Sequence, residues 1–160
     1  MKVRFAAALF TLALVMGSAA SAAPNTKAML APIDSLVAAL NAVDAAAVGA
    51  LYTADGSLLD EFPPFQWHAP RGAVSFMKDF GAFTKAEGAS DFVVKRSAPK
   101  TVHPTKDGAM GYLVVPMTIT YKLKGKPQTE MGLWTFIVVK AAGSYKIKAS
   151  AWATISDTGG

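Results

Sequence analysis

Side chains able to do chemistry are few: the chain has two histidines, His68 and His103, eleven carboxylates and no cysteine. Without a thiol it can form neither disulfide, thiolate nucleophile nor Cys-type zinc site. The histidines lie far apart, and neither belongs to a helical ligand motif such as H-E-x-x-H, so no metal is expected. No Gly-rich phosphate loop is present, so no cofactor is expected either. Histidine titrates closest to neutral pH and is a natural proton carrier. His68 follows Trp67 in the Pro-bounded aromatic stretch Phe65 to Pro70, whereas His103, between Val102 and Pro104, reads as a turn residue. Asp60 and Glu61 fall in a short extended piece, Ser57 to Phe62. Neighbours in such a piece point opposite ways, so Glu61 is expected to face solvent if Asp60 faces inward.

The N-terminus has the three parts of a secretory signal: Lys2 and Arg4, an apolar run from Phe5 to Met16, and small residues from Gly17. Ala20-Ser21-Ala22 fits the cleavage pattern, so residues 1–22 are read as a signal peptide and 23–160 as one domain, periplasmic or secreted. The rival reading, a retained anchor, needs about 20 apolar residues to cross a bilayer, and this run is shorter. No stable membrane insertion is expected after cleavage. Loss of Lys2 and Arg4 leaves 14 basic residues against 11 acidic, a net charge of +3 instead of +5. The lysines near Lys122 to Lys126 and at Lys146 and Lys148 are interspersed with apolar or Gly residues, as on a wet strand face. They form no stripe with interleaved aromatics, so no nucleic-acid partner is expected.

Two helices should open the domain. Met29, Ile33, Leu36, Val37 and Leu40 recur at helical spacing, with Pro32 suggesting a start at the first-turn position proline tolerates. Asn41 to Asp44 reads as a break, with Asp44 capping a second helix through Tyr52. Ala54-Asp55-Gly56 reads as a turn, and Phe65 to Pro70 as a loop. Val74, Phe76, Met77, Phe80 and Phe83 mark a third helix, ending near Gly88. Strands are expected over residues 92–96, 109–124, 128–140 and 144–155, joined by hairpins at Lys124 to Pro127 and Ala141 to Gly143. Pro116 predicts a bulge or an edge in the long strand, since proline cannot donate to a ladder. The strand over 128–140 is apolar on both faces and should be central. This is an α+β layout: a curled antiparallel sheet wrapped around three N-terminal helices.

The run Val37-Ala38-Ala39-Leu40-Asn41-Ala42-x-Asp44, then Ala50-Leu51-Tyr52-x-x-Asp55-Gly56-x-x-x-Asp60, then Arg71-Gly72 before a helix, resembles the opening of the NTF2-like superfamily of the ketosteroid-isomerase and SnoaL type. Trp134-x-Phe136 and Tyr145-Lys146-Ile147 are similar to its closing strands. The resemblance covers the whole domain and implies a cone of curled sheet with a pocket at its open end. That superfamily includes isomerases, dehydratases, cyclases and non-catalytic binding domains, so it implies a fold rather than a reaction. It implies that Asp60 stands where a general-base carboxylate stands in the isomerases. It also implies an oxyanion hole, whose Tyr falls here on Leu36 and whose Asp strand reads Gly132-Leu133-Trp134-Thr135-Phe136, so both donors are missing.

On this resemblance Asp60 is the candidate base, with a solvated carboxylate, a pair with Arg71 or a turn cap as the structural alternatives. His68 is the candidate helper, with Trp67 as a lid over the pocket. Tyr52, Trp67, Trp134 and Tyr121 are the candidate walls for a small, mostly apolar ligand. Tyr112 and Trp152 are assigned by strand parity to the outer sheet face, where an aromatic patch would suit a homodimer. The alternative function is a non-catalytic module that associates through that face.

Overall fold

The computed structural model describes residues 25–157; the expected signal segment over residues 1–22 lies outside them. The first helix, α1 (Thr26–Asn41), begins at Asn25, whose Oδ1 accepts the N–H of Ala28 at 3.0 Å. It runs straight through Pro32, six residues earlier than the expected start. The lost backbone donor is offset by packing, because Met29, Pro32, Ile33 and Leu36 form the buried stripe that meets the sheet. Asp44 caps α2 (Ala45–Leu51) as expected, accepting from the N–H of Ala47 at 2.9 Å. At the end of α1, Asn41 clamps the backbone of Val94 from both sides, donating to its O at 2.9 Å and accepting from its N at 2.7 Å.

The expected turn at Ala54 to Gly56 is instead an irregular part of β1 (Tyr52–Leu59), where the register shifts between Tyr52 and Ser57. The expected loop contains a two-residue strand, β2 (Gln66–Trp67), antiparallel to β1. Next come α3 (Gly72–Glu87), closed by Gly88 in the left-handed conformation, and β3 (Ala89–Arg96). His103, read as a turn residue, belongs to a short β4 (Thr101–Pro104) paired with the long β5 (Met110–Leu123). The chain ends in β6 (Lys126–Ala141) and β7 (Ser144–Asp157).

The seven strands form one curled sheet in the order β2-β1-β7-β6-β5-β3, with β4 also on β5. The β5-β6-β7 meander is antiparallel as expected, with β6 flanked on both sides, but β1 joins β7 in parallel, so the sheet is mixed. Pro116 sits opposite the gap between β3, which pairs as far as Met117, and β4, which starts at Val114. Its carbonyl faces that gap, accepting from the N–H of Ser97 at 2.9 Å. In an antiparallel strand the N and O of one residue point the same way, so no ladder bond requires the missing donor. The core lies between helices and the concave face: Ile33, Leu36 and Val48 pack with Leu113, Val115, Phe136, Val138 and Ile147, all but inaccessible to water. Each such side chain contributes about 1.5–3 kcal/mol of burial.

Candidate functional site

Beyond this core the cone is open. A cavity of about 780 Å³ lies between α3, the end of α1 and the concave faces of β3, β5, β6 and β7. Such a volume suits a small molecule. A second concavity, of about 750 Å³, lies around the start of α1 and the β6-β7 hairpin, with Asp107, Lys140 and Lys146 on its rim and no carboxylate pair.

Asp60 reaches the cavity because β1 stops at Leu59. The chain then wraps back: the Asp60 N–H donates to the O of Phe65 at 3.1 Å, and the Phe65 N–H to the O of Phe62 at 2.8 Å. Asp60 Oδ1 accepts the N–H of Glu61 at 2.7 Å, a local turn contact, and no ion pair with Arg71 occurs among the described residues. Burial pushes the carboxyl up to about 7, against the pull of that N–H, and the neighbouring charges of Glu61 and Glu130 add to the rise.

Glu61 is exposed, as expected. It lies past the end of β1, where alternation no longer holds, and it too lines the cavity. Its Oε1 accepts the N–H of Thr154 at 2.8 Å and its Oε2 lies 2.7 Å from the Thr154 hydroxyl. That hydroxyl is also 2.6 Å from Glu130 Oε1, which accepts the indole N–H of Trp152 at 3.0 Å. One hydroxyl proton cannot serve both carboxylates at once.

Trp152 is the clear reversal. Parity placed it on the outer face, yet it is 8% exposed and lines the cavity. It lies directly opposite Trp134 across the β6-β7 ladder, so both rings share the concave face, with centroids 5.9 Å apart. Room for it comes from Gly132, where a Cβ would stand 2.4 Å from the indole. A bulge between Met131 and Gly132 then brings Asp157 opposite Glu130 and onto the cavity wall. Tyr112 is outside as expected, 46% exposed.

Of the other expected residues, Trp134 and Tyr121 line the cavity. The Trp134 indole nitrogen is buried without an acceptor among the described residues. Tyr121 stacks on Phe92, centroids 5.0 Å apart, and burial followed by the charges of Glu130 and Asp157 holds its phenol protonated. Tyr52 and Trp67 are buried behind the cavity instead of lining it. The Tyr52 hydroxyl lies 2.8 Å from Ser150 Oγ, and burial raises its pKa further above neutrality. Trp67 donates to Asp79 Oδ2 at 2.9 Å and packs on Phe62 at 4.8 Å, so it is a wall support and not a lid. His68 is exposed, outside the lining, with Nδ1 3.4 Å from the O of Ala69, because its neighbour Trp67 takes the inward direction. Leu36 is fully buried in the core.

Glu130 could have been found from sequence, since it shares strand parity with Trp134. Glu61, Trp152 and Thr154 could not, because a loop wrap and a ladder register place them.

No family model matches the sequence, and no curated protein matches it. Solved structures do. The chain is similar to a hexachlorocyclohexane dehydrochlorinase from Novosphingobium barchaimii (10% identity, 83% of this chain and 88% of the other, TM-score 0.70). It is similar to a ketosteroid isomerase-like protein from Erwinia carotovora atroseptica (19%, 82% and 96%, TM-score 0.64). It is also similar to an NTF2-like superfamily protein from Salmonella enterica serovar Typhimurium (16%, 84% and 93%, TM-score 0.66). Three helices under a curled, unclosed sheet make the fold an NTF2-like α+β cone.

Proposed function

We propose that this is an exported NTF2-like domain, periplasmic or secreted, that binds a small, largely apolar molecule in its cone and moves a proton on it. The observation that carries the reading is Asp60: a carboxylate on the wall of an aromatic cavity, in no ion pair among the described residues, whose proton is held up to about 7. A base with that affinity exchanges protons readily near neutral pH. Asp60 takes a proton from carbon next to a carbonyl, and the electron pair moves onto the carbonyl oxygen. The Tyr121 hydroxyl is the donor on the same cavity wall that would hold that oxygen, in place of the two missing ones. Return of the proton to another carbon gives isomerisation; loss of a leaving group gives a dehydratase-type elimination.

The test is deuterium uptake at the carbon beside the carbonyl of 2-tetralone in heavy water, followed by NMR, with the chain beginning at Ala23. Asp60→Asn should slow uptake about 100-fold or more while leaving the protein folded. Equal uptake by both proteins would refute Asp60 as the base.

A second reading is favoured by the convex sheet face, where Met110, Tyr112, Met131, Ile137 and Ile155 are all exposed. An apolar patch of this kind suits a homodimer. Ile137→Lys should then turn a dimer into a monomer in sedimentation, and an unchanged mass would remove the convex face from consideration.

A further inference from the structure

A general base works well only when its carboxylate is held to within about 1 Å of the place where it meets the proton. Asp60 stands one residue beyond the end of β1, and the backbone bonds from Asp60 to Phe65 and from Phe65 to Phe62 close the loop on itself. Glu61 joins this loop to β7. Its Oε1 accepts the Thr154 N–H at 2.8 Å and its Oε2 lies 2.7 Å from the Thr154 hydroxyl, across 93 residues of chain. Its own N–H donates to Asp60 Oδ1 at 2.7 Å. One residue therefore grips the carboxylate with its backbone and the sheet with its side chain.

The two contacts with Thr154 differ in kind. The hydroxyl proton is contested, because Glu130 Oε1 lies 2.6 Å from the same oxygen. The N–H is fixed by the strand and donates to Glu61 whichever carboxylate takes the hydroxyl proton, and a bond from an N–H to a carboxylate is charge-assisted. Glu61 also acts on the titration of Asp60 in two opposed ways. Burial raises the Asp60 pKa most, the Glu61 N–H lowers it, and the Glu61 charge, followed by that of Glu130 on β6, raises it. Tyr52, the other titratable group that feels Asp60, stays protonated behind the cavity wall.

We propose that Glu61 is the positioning residue of the base: clamped to Thr154 of β7, it holds Asp60 Oδ1 through its own N–H and leaves Oδ2 free to take the proton. This rests on the reading of Asp60 as the base and adds the group that aims it. Clamp and charge can be separated, because the Glu61 N–H survives any of the substitutions used below. Glutamine keeps the clamp without the charge, its amide oxygen accepting the Thr154 N–H and its amide nitrogen donating to the hydroxyl. Alanine loses both, and aspartate, one methylene too short for Thr154, keeps only the charge.

The test is the pH profile of 2-tetralone deuterium exchange, from about pH 5 to about pH 9, for wild type, Glu61→Gln, Glu61→Ala and Asp60→Asn. The wild-type rate should rise through an inflection at about 7 to a plateau. Glu61→Gln should move the inflection to lower pH, since a like charge is gone, and slow the plateau about three-fold, since a weaker base takes the proton more slowly. Glu61→Ala should slow the plateau about 30-fold with KM within about two-fold of wild type, because the carboxylate is misplaced and the cavity is not. Should Glu61→Ala fail to fold, Glu61→Asp should slow the plateau about ten-fold without lowering the inflection. Wild-type profiles for the Glu61 variants, or equal plateau losses in Glu61→Gln and the clamp-free variant, overturn the positioning role and leave Asp60 as the base. Exchange no faster with wild type than with Asp60→Asn overturns the base and the positioning role together.

Discussion

Ionising Asp60 should cost the folded protein stability, and the cost follows from its titration. Its ordinary value is 3.8 and in the fold it is raised to about 7. Between those values the folded chain holds a proton that the unfolded chain has released, so stability falls as pH rises through this window and levels off above about 7. The full shift of about 3 units corresponds to about 4 kcal/mol, of which about 2.5 kcal/mol falls between pH 5 and pH 8. The carboxylate keeps some contact with water at the cavity wall, which reduces the expected loss to about 1–2 kcal/mol. Asp60→Asn preserves the oxygen that accepts the Glu61 N–H but cannot ionise. Urea unfolding of both proteins at pH 5 and pH 8 isolates the effect from other titrating groups. The wild-type midpoint should drop on going to pH 8 by about 0.5–1 M more than that of the variant. If both midpoints move in parallel, Asp60 is solvated in the folded protein and the burial argument fails, taking its role as a base near neutral pH with it.

Gly132→Ala should destabilise by about 1–3 kcal/mol. Its Cβ would meet both the Trp152 indole and the O of Ala153 at 2.4 Å, and backbone cannot step aside as a side-chain tip can; a thermal melt equal to that of wild type would show that the sheet relaxes there. Tyr52→Phe leaves Ser150 Oγ buried without its 2.8 Å partner and should cost about 1–2 kcal/mol in urea unfolding. No loss would mean that Ser150 finds another partner. Tyr121→Phe keeps the ring that stacks on Phe92 but removes the hydroxyl proposed to hold the oxyanion, so the protein should stay folded while tetralone exchange falls about 100-fold. Exchange at the wild-type rate would rule out the phenol as the oxyanion donor.

Much of the fold follows from local rules. The cap at Asp44, the stop at Gly88 and the stripe through Ile33 and Leu36 each depend on residues within a turn or two, and they appear where their spacing puts them. The same holds for the meander, whose hairpins are marked by Gly125 and Gly143. The misreadings share a cause. Pro32 and the Asp55-Gly56 pair carry strong local signals for a break, but burial of α1 and pairing of β1 with β7 outweigh them.

On the cavity wall stand Asp60, singled out by the family resemblance, and Trp134 and Tyr121, singled out as large aromatic bodies with polar tips. Sequence alone could not assemble their surroundings. Whether Trp152 faces in or out turns on which residue it meets across β6, and Asp157 reaches the wall through a bulge of one residue. Glu61 depends on a loop that wraps after the strand has ended, and His68 is turned out because Trp67 takes the inward place. Periodicity is a property of one segment, whereas register and loop closure are agreements between segments distant in the chain, settled only when apolar surfaces pack. The gathering of Asp60, Glu61, Glu130 and Asp157 around one aromatic cavity is of this second kind: their sequence positions, from 60 to 157, share no spacing, and only the curled sheet brings them together.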